Sequence, residues 1–173
     1  FLFTLGNSSN TFLLLRAKDF DFTDTNVILL YLLYNIIASL FAIPLGRLSD
    51  KIGRKRLLVA GYIMYSIVYI GFAFAISKTA IITVFALYGL YTAMVSGVER
   101  AFIAEIAPKE LKGTMLGLLS TLVGVALLPA STIAGVLWYK FGAPAPFIYG
   151  AVLSAAAAVV LMVFLRPVKK CEI

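Results

Sequence analysis

The stretch Gly46-Arg47-Leu48-Ser49-Asp50-Lys51-Ile52-Gly53-Arg54-Lys55-Arg56 separates two long apolar runs, and its reading decides the fold. A glycine at the end of a helix supports a tight turn, and a second one, Gly53, lets the chain turn again within a few residues. Asp50 can satisfy free N–H groups at a nearby helix N-terminus, where the dipole favours an anion. The basic run pairs with acidic side chains or lipid phosphates. A plain membrane hairpin needs only the positive charges. It has no need of Gly, Asp and Gly at fixed spacing.

Around this segment the composition identifies the solvent. Of 173 residues, 62% are hydrophobic and 13% charged, with mean hydropathy +1.00. Soluble domains carry roughly 45–50% apolar and about 25% charged residues. The apolar runs are too long and too numerous for a soluble all-α domain. A net charge of +7 would suggest nucleic acid in a soluble protein. Here the basic residues lie in short loops between apolar runs, which is how membrane proteins set their topology, and no nucleic-acid partner is expected.

The single cysteine, Cys171, excludes an intrachain disulfide and a cysteine-based metal site. The chain has no histidine, the commonest metal ligand and general base. No nucleophile–base pair, metal constellation or nucleotide loop is present. The expectation is therefore no cofactor, no metal and no enzyme.

Crossing roughly 30 Å of hydrocarbon takes about 20 apolar residues. The expected fold is all-α and polytopic, with six spans at about 1–15, 26–44, 57–76, 80–98, 113–138 and 145–165. The first is short and Phe1 already lies in an apolar stretch, so an upstream part is expected to be missing. Asp24 or Thr25 is placed to cap the second span. The fourth helix is expected to continue through Glu99 until Pro108 stops it, and Pro129 to kink the fifth. Arg166-Pro167 closes the sixth.

Counting Lys and Arg on alternate sides orients the chain. One side holds Arg47, Lys51, Arg54, Lys55, Arg56, Arg100, Lys109, Lys112, Arg166, Lys169 and Lys170; the other holds Arg16, Lys18, Lys78 and Lys140. Eleven against four makes the first side cytoplasmic. Segments 46–56 and 99–112 and the C-terminus are then inside, and Asp19, Asp21 and Asp24 face outward. Gly113-x-x-x-Gly117, Ser120-x-x-x-Gly124 and Ser154 with Ala155–Ala158 read as close-packing features between helices.

The string Gly46 to Lys55 resembles the signature loop of the major facilitator superfamily, G-x-x-x-D-R-x-G-R-K. Gly46, Asp50, Gly53, Arg54 and Lys55 match it. Lys51 stands in place of the usual Arg, keeping the charge but losing bidentate geometry. Gly97-Val98-Glu99-Arg100-Ala101 through Ile106-Ala107-Pro108-Lys109-Glu110-Leu111-Lys112-Gly113-Thr114-Met115-Leu116-Gly117 is similar to the family's connection between the tenth and eleventh helices. Leu5-Gly6-Asn7-Ser8-Ser9-Asn10 resembles its seventh helix. With Tyr34-Asn35 and Pro44, the likeness covers nearly the whole chain and favours the C-terminal half, with a leaning toward drug-exporter-like or uncharacterised members.

The resemblance implies a 3+3 inverted repeat forming one half of a twelve-helix secondary transporter in the plasma (inner) membrane. A small solute would cross by rocking-switch alternating access against the missing N-terminal half. It further implies a gating network in which Asp50, Lys51, Arg54, Glu99 and Arg100 pair across helix ends. The first helix of each half lines the cavity, making Asn7, Asn10, Tyr34 and Asn35 the substrate-facing candidates. Asn7 and Asn10, at i and i+3, would share one helix face; interhelical hydrogen bonding is the alternative role. No carboxylate lies deep in an expected span, so the carrier of a coupling proton or ion is expected in the other half. A six-span scaffold or signalling protein without transport is the alternative, and it has no use for a state-dependent latch. A half-size transporter pairing with itself is a further possibility.

Overall fold

The computed structural model describes residues 2–7 and 10–164, without the Phe164 side chain. Expectations on Phe1, Ser8, Ser9, Arg166, Pro167, Lys169, Lys170, Cys171 and the C-terminus lie outside the described residues. Every regular element among the described residues is helical: α1 Leu2–Gly6, α2 Thr11–Lys18, α3 Asp24–Ile52, α4 Arg54–Ala73, α5 Lys78–Ile106, α6 Lys112–Phe141 and α7 Pro144–Phe164, with a 3-10 turn at Lys109–Leu111. The helices α3 to α7 are long and apolar enough to cross a membrane. The first apolar stretch is not one helix over 1–15 but two short ones, α1 and α2, separated around Asn7–Asn10.

The signature segment is mostly helix rather than loop. Helix α3 runs through Pro44, past Gly46, to Ile52. Proline removes one backbone hydrogen bond but leaves the chain free to continue, as transmembrane helices commonly allow. Only Gly53 breaks the path between α3 and α4, at φ 97°. That left-handed value favours glycine, because a Cβ there would crowd the following carbonyl. Asp50 therefore sits in the last turn of α3, and α4 has no side-chain cap.

The cap of α3 is Thr23, whose Oγ1 accepts from the Asn26 N–H at 3.4 Å. Asp24 is drawn instead to Lys18, at 2.8 Å. Ser77 caps α5 through the Ala80 N–H. Helix α5 stops at Ile106 because Ala107 takes the extended conformation (ψ 139°) that a following proline imposes.

Helices α4 and α5 form the buried centre, with α3 against α5, α7 against α4, and α1 between α6 and α7. Helix α1 crosses α7 glycine on glycine. A Cβ on Gly150 would meet the Gly6 carbonyl oxygen at 2.6 Å, so only glycine permits this approach. Ser154 Oγ donates to the Tyr62 carbonyl at 2.7 Å and Ser66 Oγ to that of Ala151 at 2.9 Å, locking α7 to α4. Arg16 ends α2 by donating to Phe72 and Ala73 carbonyls at 3.0 and 3.3 Å. Those carbonyls belong to the end of α4, where a cation also suits the dipole.

Helices α3 and α6 are the least buried. The only buried stripe on α6 is Ala126, Ala130 and Ala134. Gly113, Gly117 and Gly124, expected to pack closely, have open space around them within this chain.

Candidate functional site

Two constellations emerge, one at the break in the first apolar stretch and one at the shared end of α3, α4 and α5. The break exposes backbone and amide groups inside an apolar bundle, where each needs a partner. Tyrosines of three helices supply them. Tyr65 on α4 donates its hydroxyl toward the Gly6 carbonyl at 3.1 Å and Asn7 Oδ1 at 3.3 Å. Asn10 Nδ2 donates to the Tyr34 hydroxyl on α3 at 3.2 Å, and the Tyr88 hydroxyl on α5 donates to Asn10 Oδ1 at 2.8 Å.

Asn7 and Asn10 thus do not share a helix face, since α1 ends at Gly6 and α2 begins at Thr11, leaving both outside these helices. Asn7 is held by Tyr65, and Asn10 by Tyr34 and Tyr88. Asn35 stays apart: its amide donates back along α3 to the Tyr31 carbonyl at 2.7 Å. It is one residue on from Tyr34, which turns it by about 100°.

The rings behind these hydroxyls are continuous. Tyr34 meets Tyr88 edge-on at 5.3 Å, Tyr88 lies 5.3 Å from Tyr91, Tyr91 4.9 Å from Tyr65, and Tyr65 stacks on Tyr69 at 3.9 Å. Phe3 of α1 stacks on Tyr62 at 4.2 Å. Such pairs add roughly 0.5–1.5 kcal/mol beyond area burial. Tyr65 and Tyr88 were not among the residues singled out from the sequence. The available signal was the spacing of Tyr62, Tyr65 and Tyr69 and of Tyr88 and Tyr91, which puts hydroxyl-bearing rings on single helix faces.

At the other site Arg54 is the hub. Its Nη2 lies 3.1 Å from Asp50 Oδ1, and its Nη1 lies 3.4 Å from Glu105 Oε2 while donating to the Ala101 carbonyl at 2.7 Å. One guanidinium thus joins α3, α4 and α5. The carboxylates are 62% and 40% exposed. Each ion pair is accordingly worth under about 1 kcal/mol, cheap to break and remake. Lys55 Nζ donates to the Met162 carbonyl of α7 at 2.9 Å, extending the ties to a fourth helix.

The structure does not bring Glu99 or Arg100 to Arg54, and Lys51 is exposed. Because α5 continues helically past them, Glu105 rather than Glu99 reaches the level of Arg54. Six residues along a helix amount to about 9 Å. Gly46 lies inside α3, and a Cβ there would meet nothing from another helix within 4 Å among the described residues.

No group of three or more metal-ligating side chains occurs among the described residues. The chain matches the family model of the Major Facilitator Superfamily over residues 1–171. It is 44% identical over 167 residues to the uncharacterized MFS-type transporter MJ1317 of Methanocaldococcus jannaschii, covering 93% of this chain and 42% of that protein. It is 30% identical over 145 residues to the class H tetracycline resistance protein of Pasteurella multocida, covering 81% of this chain and 34% of that one. It is 31% identical over 131 residues to the multi-drug resistance efflux pump PmrA of Streptococcus pneumoniae, covering 76% and 33%. The chain thus spans well under half the length of these relatives.

Proposed function

The chain belongs to the Major Facilitator Superfamily, a family of integral membrane transporters rather than enzymes, and on that premise we propose that it is the C-terminal six-helix half of a secondary active transporter. The whole protein would move a small solute by rocking this half against an N-terminal six-helix half. The observation that carries this reading is the match along residues 1–171 by a chain spanning 42% of a 44% identical relative.

The two least buried helices support it. Helices α3 and α6 turn small residues outward, Ser39, Ala42 and Gly46 on one and Gly113, Gly117 and Gly124 on the other. Lipid does not require such residues, whereas a closely approaching helix does. In this reading they meet the other half.

The charge bias supports a cytoplasmic side for the Arg54 end, in what we take to be the plasma membrane. The Asp50–Arg54–Glu105 hub is the latch, weak enough to open in each cycle, and Lys51, Glu99 and Arg100 make no ion pair with it here. Asn7 and Asn10 at the break face the solute, held from behind by the buried Tyr34, Tyr65 and Tyr88, and Asn35 flanks them. The relatives named as a tetracycline resistance protein and a multi-drug efflux pump make tetracycline the first probe, and ethidium serves as a second, chemically unrelated fluorescent one. Proteoliposomes holding the full native polypeptide should move one of them faster than empty liposomes under an ion gradient. Rates equal to empty liposomes for both probes, and for a broad solute panel, would remove transport as the function.

A further inference from the structure

Helices α4 and α7 pack on each other, yet each keeps one aliphatic stripe turned outward. On α4 it includes Ile63, Ile67 and Ile70, and on α7 Val152, Val159 and Val163, every one of them more than 40% exposed. Spacings of three, four and seven hold each set on one helix face. The exposed faces of α3 and α6, in contrast, carry Ser39, Ser120 and Thr121.

The two stripes form one wall. Ser66 Oγ on the Ala151 carbonyl and Ser154 Oγ on the Tyr62 carbonyl fix which sides of α4 and α7 meet. From those contacts, about 100° per residue carries both stripes to the same side of the antiparallel pair. Lys55 Nζ on the Met162 carbonyl, at 2.9 Å, sets the start of α4 level with the end of α7. Arg56 stands in line with the α4 stripe, two turns before Ile63. It is exposed and makes no ion pair among the described residues. Neither α4 nor the described α7 contains an acidic residue, so the positive charge at this end of the wall is uncompensated on these two helices. Ile63 and Ile67 follow Arg56 at about 10 and 16 Å along the helix. That is the depth of one leaflet in a hydrocarbon core of about 30 Å.

We infer that the α4–α7 wall is a binding site for an anionic phospholipid, its headgroup phosphate against Arg56 and its acyl chains along Ile63, Ile67, Val159 and Val163. A zwitterionic lipid offers the same chains without the net charge, so selectivity rests on the cation. The site needs only the membrane fold and stands whether or not the chain transports.

The test places the full native polypeptide in nanodiscs containing a photoactivatable phosphatidylglycerol or the matching phosphatidylcholine, and maps the adducts by mass spectrometry. In the wild type, phosphatidylglycerol should label segments 57–74 and 144–163 about fivefold more than phosphatidylcholine, the discrimination that one surface cation gives. Arg56→Gln should bring the two lipids level. Arg56→Lys should keep the preference, as should Lys140→Gln, which removes a charge from the opposite end of the bundle. Raising the salt should weaken the preference in the wild type, because an exposed pair is screened. Equal labelling by the two lipids in the wild type, or a preference that survives both high salt and Arg56→Gln, would overturn the assignment. Inorganic phosphate, matched in ionic strength by a chloride control, should leave the labelling unchanged. Displacement by phosphate would make this a free-anion site and overturn the lipid as its occupant.

Discussion

Arg54 and Glu105, fifty-one positions apart, meet at 3.4 Å where the ends of α4 and α5 come together, and the same guanidinium holds Asp50 across the Gly53 turn. A single side chain thus reports whether three helix ends are together. Such an arrangement suits a contact that must form and break, since no member is deeply buried and each pair is weak.

Replacing Asp50 by Asn removes one carboxylate from this hub without changing its volume. Asp50→Asn and Glu105→Gln should each reduce probe turnover about tenfold or more while expression and Tm stay near wild type. Arg54→Ala combined with either should be no worse than Arg54→Ala alone, as a double-mutant cycle would reveal. Unchanged turnover in Asp50→Asn would remove the latch role.

Asn10 presents both its donor and its acceptor to tyrosines on different helices. Asn10→Ala should lower stability by about 1 kcal/mol, since interhelical hydrogen bonds in membranes average roughly 0.6 kcal/mol each. It should also raise the KM for a transported probe. Asn35→Ala, which loses only a bond along its own helix, should change KM less than twofold. Equal KM values for the two variants would place the solute elsewhere.

Gly53 and Gly150 constrain the fold differently. Gly53→Ala puts a Cβ at φ 97° and should cost about 1–2 kcal/mol. Gly150→Ala drives a methyl against the Gly6 carbonyl and the Tyr69 ring, and should cost as much or more. Gly117→Ala should leave the stability of this half unaltered, because nothing among the described residues lies within 4 Å of the added Cβ. A loss of turnover there would report contact with the other half. Thermal unfolding in detergent, read beside flux, separates these cases.

Arg16 is the counterpart at the opposite end of the bundle, donating to the last carbonyls of α4. Arg16→Ala should lower stability by about 2 kcal/mol, as charged hydrogen bonds of this kind contribute roughly 1.5–3 kcal/mol. Arg16→Lys should recover only part of it, because an ammonium lacks the fork that reaches two carbonyls.

Apolar run lengths and charge placement made the all-α membrane fold legible, and the Gly46–Lys55 spacing made the family legible. Boundaries were less so. Pro44 reads as a stop, yet a membrane helix tolerates it, so α3 carries the signature segment to Ile52 as helix. The break at Asn7–Asn10 was hidden because its cause is tertiary: tyrosines far along the chain satisfy the freed groups. Glu105 was not singled out because, although α5 stops just before Pro108 as expected, which of its carboxylates lies level with Arg54 depends on how α4 packs on α5. Asn10 and Tyr34 were found because polar groups in apolar runs stand out, whereas Tyr65 and Tyr88 passed as ordinary packing aromatics.

Whether this chain is one half of a two-half transporter is decided by the intact mass of the native polypeptide purified from its membrane. A C-terminal half requires a native polypeptide more than twice as long as these 173 residues, in keeping with the 42% coverage of the relative from Methanocaldococcus jannaschii, with the added length ahead of Phe1. A native polypeptide beginning within a few residues of Phe1 would contradict it.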